Sequence, residues 1–305
     1  MVARMSKSPS RLALMPLVIL SAVPHPDDLN RRIEGGVAMG MSARRDPNAI
    51  FRQVDADCYV AGDQAAGPWN VEFCHGGAPA ALLAQIADES KSAVPMSIAR
   101  VTIDLLNPVP VGTPLRLAQH KLREGKRLDL IALELLTGEK RLVRATILKV
   151  RGHAGAGSAE ALEPDEAAHD PMPSRFASLF TIIPEKGGFE RLQPASVWFR
   201  LNVPLLEGRA TTPVAAMVAA ADFGSGICAE FSYRDWAFPS LDLTVALARP
   251  PLGSWSRLDS QWLRCSEGRA TCITQLADAY GPCGHAMQSV FLERRNVTDR
   301  QASRW

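Results

Sequence analysis

Two stretches of this chain repeat each other at nearly constant spacing, which leaves few architectures open. Glu124-Gly125 matches Glu267-Gly268 at a separation of 267 − 124 = 143, and Gly138 matches Gly281 at the same separation. Upstream, Ser97 to Pro108 resembles Ser240 to Pro250, with the prolines offset by 250 − 108 = 142. In each half a strand-like run follows the second glycine, Leu142 to Val150 and His285 to Leu292. Four matches in order point to one duplicated domain rather than a many-repeat solenoid.

Each copy reads as one helix followed by antiparallel strands. Gly76-Gly77 opens onto Ala78 to Ser90, where Leu82, Leu83 and Ile86 fall at helical spacing. In the second copy Thr212 and Pro213 form an N-cap and first-turn pair, starting a helix through Ala221 that should end near Gly224 or Gly226. The strands then alternate. Leu241, Leu243, Val245 and Leu247 share one face, Ser240, Asp242, Thr244 and Ala246 the other, and Val101, Ile103 and Leu105 repeat the pattern in the first copy. Pro108, Pro110, Pro250 and Pro251 should end those strands, and the Glu-Gly pairs and later glycines should make hairpin turns. One helix on a long, curved antiparallel sheet is an α+β layout. Two such half-open sheets would bury most apolar surface by pairing with each other.

A polar stretch carrying Gly, Ala, Pro and the acids Glu160, Glu163, Asp165 and Glu166 interrupts the pattern. The expected organisation is therefore a first domain over 49–150, a linker over 151–175, a second domain over 176–296 and a tail over 297–305. Ahead of them, Arg4, Lys7 and Arg11 precede an apolar run from Leu12 to Val23, the outline of a signal peptide but too short to span a membrane. The usual small-residue cleavage pattern does not follow, and Met39 and Met41 lie just before the patterned chain. Residues 1–48 are expected to be a disordered leader, or one ahead of the true start, rather than a secretion signal.

Hydrophobic residues make up 47% and charged ones 22% of the 305 residues, which excludes a wholly disordered, collagen-like or multi-span chain. A formal charge of +2 singles out neither nucleic acid nor an anionic membrane, yet permits an anionic small molecule bound by a local cluster. The six cysteines form no C-x-x-C pair and read as small buried thiols in a reducing cytosol. His25, His75, His120, His153, His169 and His285 form no ligand spacing, so no metal is expected, and no phosphate-binding glycine loop of the familiar kinds is present.

Three places carry candidate chemistry. Trp69 to Leu83 contains Cys74-His75-Gly76-Gly77 at a helix start. Backbone N–H groups there can approach a ligand, and the dipole favours developing negative charge. His75, Gly76 and Gly77 are thus candidates for an oxyanion or thioester-carbonyl site, although a tight packing loop reads equally well. A serine-hydrolase elbow is not supported, because Gly224-Ser225-Gly226 lacks the required spacing. Asp222 follows Val218 and Ala219 to Ala221 at the C-terminal end of the second helix, facing the negative end of its dipole. That position costs stability and suits a general base; the plain alternative is an exposed polar residue. Gln288 shares a strand face with Ala286, Val290 and Leu292, and its first-copy counterpart at an offset of 143 is Ala145. Ser240 corresponds to Ile98 or Ser97, depending on the offset.

Together these residues resemble the acyl-CoA thioesterases of the double-hotdog type, the thioesterase II branch, over about Phe51 to Arg295. Trp69…His75-Gly76-Gly77 is similar to that family's glycine-containing helix start, and Ala220-Ala221-Asp222 to its aspartate-bearing helix end. Ser240-Leu241-Asp242-Leu243-Thr244…Arg249-Pro250 resembles its Thr-x-Asp strand, with serine at the threonine position, and Gln288-Ser289 its glutamine strand. The resemblance implies a double hotdog, two helices each packed on a curved antiparallel sheet. It also implies that Asp222, Ser240 and Gln288 hold and activate a water that hydrolyses acyl-CoA to free acid and CoA. No cofactor is implied, the partner is acyl-CoA, and a homo-oligomer is compatible. Two alternatives stand beside it. A hotdog hydratase would need a His paired with Asp or Glu, for which His75 is the candidate. A non-catalytic acyl-thioester binding protein would hold ligand without releasing thiol.

Overall fold

A computed structural model of the chain describes residues 49–152, 160–165 and 173–295; the leader, the tail and most of the linker fall outside that set. The first part runs β1 (Phe51–Asp55), β2 (Cys58–Ala61), α1 (Gly77–Glu89), β3 (Ser97–Leu105), β4 (Pro114–Arg123), β5 (Leu128–Thr137) and β6 (Lys140–Val150). The second runs β7 (Phe180–Lys186), β8 (Ala195–Leu201), α2 (Pro213–Ala221), a short α3 (Gly224–Ile227) and β9 (Trp236–Ala237). After them come β10 (Asp242–Leu247), β11 (Trp255–Ser266), β12 (Arg269–Asp278), β13 (Gly281–Phe291) and β14 (Glu293–Arg294). Twelve strands make one antiparallel sheet in the order β1-β2-β4-β5-β6-β3-β10-β13-β12-β11-β8-β7. The order reads alike from either edge, and the halves meet where β3 pairs with β10, Val101 opposite Val245.

The hairpins correct the spacing expected from the glycines. In β5–β6, Leu135 pairs with Val143 and Leu136 with Arg141, leaving Leu142 as a bulge. In β12–β13, Leu276 pairs with Gly284 and Ala277 with Pro282, leaving Cys283 as a bulge. Every position repeats at 276 − 135 = 141, not 143. Gly138 and Gly281 play different parts, one in a turn and the other opening β13 opposite Asp278. The counterpart of Gln288 is therefore Ile147 rather than Ala145; both are buried and apolar. With Thr102 opposite Thr146 and Thr244 opposite Met287, the β3-to-β10 offset is 142, which sets Ser240 against Ile98. The two Glu-Gly pairs also differ. Glu267 and Gly268 both have positive φ, 53° and 74°, which suits a two-residue turn matching strand twist. Glu124-Gly125 opens a longer loop, where Gly125 N–H donates to Asp129 Oδ1 at 3.0 Å.

Both helices are apolar nearly all round because each is covered on one side by the sheet and on another by its fellow. Thr212 caps α2, accepting the Ala215 N–H at 3.3 Å, and Pro213 occupies the first turn. Gln85 of α1 accepts from Thr212 N–H at 2.8 Å and donates to Ala210 O at 3.0 Å, tying one helix to the start of the other. α2 runs through Ala221 as expected; the chain then bends at Asp222–Phe223, and the short α3 starts at Gly224 and includes Gly226. Leu241 also departs from expectation: it precedes β10 and is 50% exposed, whereas Leu243 and Val245 are buried.

At the far end of β10, Arg249 donates twice to Asp278, at 2.6 Å each, while the N–H groups of Leu252 and Tyr280 add bonds of 2.7 and 2.8 Å. Burial alone would raise the Asp278 carboxyl, but these donors outweigh it and hold the group below its usual range. A carboxyl that is more acidic in the folded state stabilises above its unfolded value of about 3.9 and loses that contribution as pH falls through the folded value. Asp278→Asn should therefore be less stable than wild type at pH 7, with the gap narrowing below about pH 4. Urea unfolding across that range checks it; a gap that stays constant in acid refutes it.

Candidate active site

Four pieces of backbone converge on one corner. α1 supplies its start, α2 its end, the segment before β10 supplies Ser240, and β13 supplies Gln288. Close approach of the helices requires the glycines. A Cβ on Gly77 would lie 2.7 Å from Ala219 O, and one on Gly76 would lie 2.8 Å from Asp222 Oδ2. Larger residues would push α1 away from Asp222.

Asp222 is only 6% exposed, so the reading of a solvent-facing helix end does not hold. Its Oδ1 accepts from Gln288 Nε2 at 3.0 Å, and its backbone O accepts from the same nitrogen at 3.1 Å. Gln288 Nε2 also donates to Ser240 Oγ at 2.8 Å, and Gln288 Oε1 accepts from Ser225 N–H at 3.0 Å. The other oxygen of Asp222, Oδ2, lies 3.0 Å from His75 Nδ1. Ser240 is fixed from outside the network. Ser240 bridges to Val290, and Asp242 accepts from Ser289 N–H at 2.7 Å and from Ser289 Oγ–H at 2.9 Å.

A cavity of about 390 Å³ opens beside this network. Its wall includes His75, Gly76, Asp222 and Ser240, with Trp69, Phe73, Phe189, Phe223, Tyr233 and Phe238 supplying apolar surface. Gln288, 1% exposed, is not on the wall, and its amide is committed to protein partners on both sides. Its Nε2 links Asp222 and Ser240 within the protein. Gly77 is also set back, its N–H donating to His75 Nδ1 at 3.2 Å. Gly76 is on the wall, and its N–H makes no hydrogen bond among the described residues. Cys74 faces the cavity too, but burial pushes its thiol up to about 12, so it stays a neutral wall group.

Sequence reasoning brought together Asp222, Ser240, Gln288 and the His75-Gly76-Gly77 corner, but missed part of the support. The Ser225 N–H that holds Gln288 Oε1 lies in a stretch that the sequence marks only by its lack of a hydrolase elbow. Gly224 leaves room for a buried Ser260–Thr274 hydroxyl pair, 2.8 Å apart, under Gln288. Ser260 and Thr274 carried no signal, being ordinary polar residues on alternating strands.

No curated protein sequence matches the chain. A Novosphingobium aromaticivorans protein provisionally described as a thioesterase shares 19% identity at a TM-score of 0.61, covering 80% of this chain and 98% of its own. An Alicyclobacillus acidocaldarius protein of unknown function with a hotdog fold shares 16% at 0.63, covering 82% and 98%. An acyl-CoA thioesterase II from Mycobacterium marinum shares 14% at 0.56, covering 83% and 98%. These likenesses show the fold, a hotdog. Residues 65–150 match the family model of the acyl-CoA thioesterase N-terminal domain, and residues 158–292 that of the C-terminal domain. With both domains matched in order along most of its length, the chain belongs to the acyl-CoA thioesterase family.

Proposed function

We propose that this thioesterase cleaves acyl-CoA to free acid and CoA with a water held by Asp222 and Ser240. Asp222 takes the proton of that water, Ser240 Oγ orients it, and Gln288 keeps both in place through its amide. Gly76 N–H meets the negative charge that develops on the thioester oxygen. The acyl chain occupies the aromatic-walled cavity. The observation that carries this reading is the Asp222–Gln288–Ser240 network on the edge of that cavity. The mirrored strand order and the repeated bulge support a double hotdog arising by duplication, in which the later copy alone keeps the polar trio. Ile147 and Ile98 stand at the first-copy positions of Gln288 and Ser240. The cysteine spacing and family support a cytoplasmic role in lipid metabolism.

Thiol release across acyl-CoA lengths tests the assignment. Ser240→Ala should lose on the order of 10-fold in kcat, the worth of one well-placed hydrogen bond, and Ser240→Thr should recover most of it. Full activity in Ser240→Ala would refute the role of the hydroxyl. The His75–Asp222 pair also meets the requirement of the hydratase reading. Crotonyl-CoA separates the two, since hydrolysis frees thiol and hydration adds water with the thioester intact.

A further inference from the structure

His75 is bonded in a way that plain oxyanion binding does not need. Its Nδ1 lies 3.0 Å from Asp222 Oδ2 and 3.2 Å from Gly77 N. The contacts make different demands: Gly77 N–H needs a lone pair on Nδ1, whereas a carboxylate needs a proton there. With a proton on Nδ1, the carboxylate is satisfied. With that proton on Asp222 instead, Nδ1 accepts from both neighbours, and the ring's own hydrogen sits on Nε2. The pair can therefore hold one proton on either side.

Nε2 has no hydrogen-bond partner among the described residues. Among the described residues, the side-chain polar atoms sealed from solvent without a partner are Ser92 Oγ and Asp129 Oδ2, so Nε2 is not sealed. His75 lines the cavity, and its side chain is 11% exposed. Nε2 is thus an open donor on the same wall as the proposed water site.

We propose that His75 is the catalytic acid of the reaction, delivering a proton from Nε2 to the sulfur of the departing CoA. This inference rests on the thioesterase reading above. As the water oxygen bonds to the acyl carbon, Asp222 takes one of its protons. The tetrahedral intermediate collapses, the carbon–sulfur bond breaks, and its electron pair goes to sulfur. The ring starts with a proton on each nitrogen, Nδ1–H facing the Asp222 carboxylate, and its Nε2 proton passes to that sulfur, leaving a neutral ring protonated on Nδ1. Acid and thiol result, and the proton held by Asp222 returns to Nε2 through solvent in the cavity, which restores both groups.

The dependence on the leaving group tests this. An alkyl thiolate is basic, its thiol titrating at about 8.5 in a simple side chain, and it departs best with a proton. An aryl thiolate is far less basic and departs without one. Activity of wild type, His75→Ala and His75→Gln is measured on an acyl-CoA and on the S-aryl thioester of the same acid, with thermal unfolding as a check on folding. Both variants should lose about 10²-fold on the acyl-CoA, the scale of one acid–base group, and at least about tenfold less on the aryl ester. Equal losses on the two substrates would overturn the relay while leaving hydrolysis intact. If wild type freed no thiol from any acyl-CoA, the thioesterase reading would fail instead.

Discussion

Asp222→Asn should lower kcat by about 10²–10⁴-fold on acyl-CoA while the protein stays folded. The substitution keeps the shape and much of the bonding. An amide oxygen still accepts from Gln288 Nε2 where Oδ1 does now, at 3.0 Å. The amide nitrogen can donate to His75 Nδ1 in place of the contact at Oδ2. What disappears is the capacity to take a proton from water. Binding contacts stay, so KM should change much less than kcat. Thiol release with thermal unfolding as control decides the matter, and a variant turning over at the wild-type rate removes Asp222 from the mechanism. Unlike the His75 variants, which largely spare the S-aryl ester, Asp222→Asn should be strongly impaired on both substrates, because both need an activated water.

Phe223→Ala should cost about 3–5 kcal/mol of stability, the range for a buried phenylalanine truncated in a packed core. Phe223 is 2% exposed and lies at the bend between α2 and α3. Its ring stacks on Phe199 at 5.2 Å, meets Phe180 and Phe189 edge-on, and packs against His75 at 4.5 Å. The hole left by the ring would loosen both neighbours of the bend, Asp222 and His75, so activity should fall along with stability. Urea unfolding measures the first effect and thiol release the second. A loss below about 1 kcal/mol would mean that the cluster repacks freely, which the many ring contacts argue against.

Much of the fold was legible because its signals are local. The Thr212–Pro213 helix start and the alternation of Leu243 and Val245 each depend on a few neighbouring residues. The β5–β6 and β12–β13 pairs were legible as hairpins, but their register was not. Glycines invited a match by residue type, whereas register follows from which N–H meets which carbonyl; Gly138 lies in its turn while Gly281 opens β13, so matching the two sets the offset two residues too high. Leu241 was misplaced for a related reason, since the strand face it was assigned to begins only at Asp242.

By itself the sequence determined a helix ahead of alternating strands in each half, the glycine pair at one helix start and three polar residues in the later half. It did so through periodicity, capping and turn chemistry, which act within a few residues of themselves. Tertiary structure alone decided that Asp222 and His75, 222 − 75 = 147 positions apart, share a proton-sized gap. It alone decided that Gln288 braces the site from behind while Ser240 and Gly76 face the cavity. A hydrogen bond is won or lost over a few tenths of an ångström and a few tens of degrees, and only the packing of two helices on one sheet sets atoms that far apart in sequence to that tolerance.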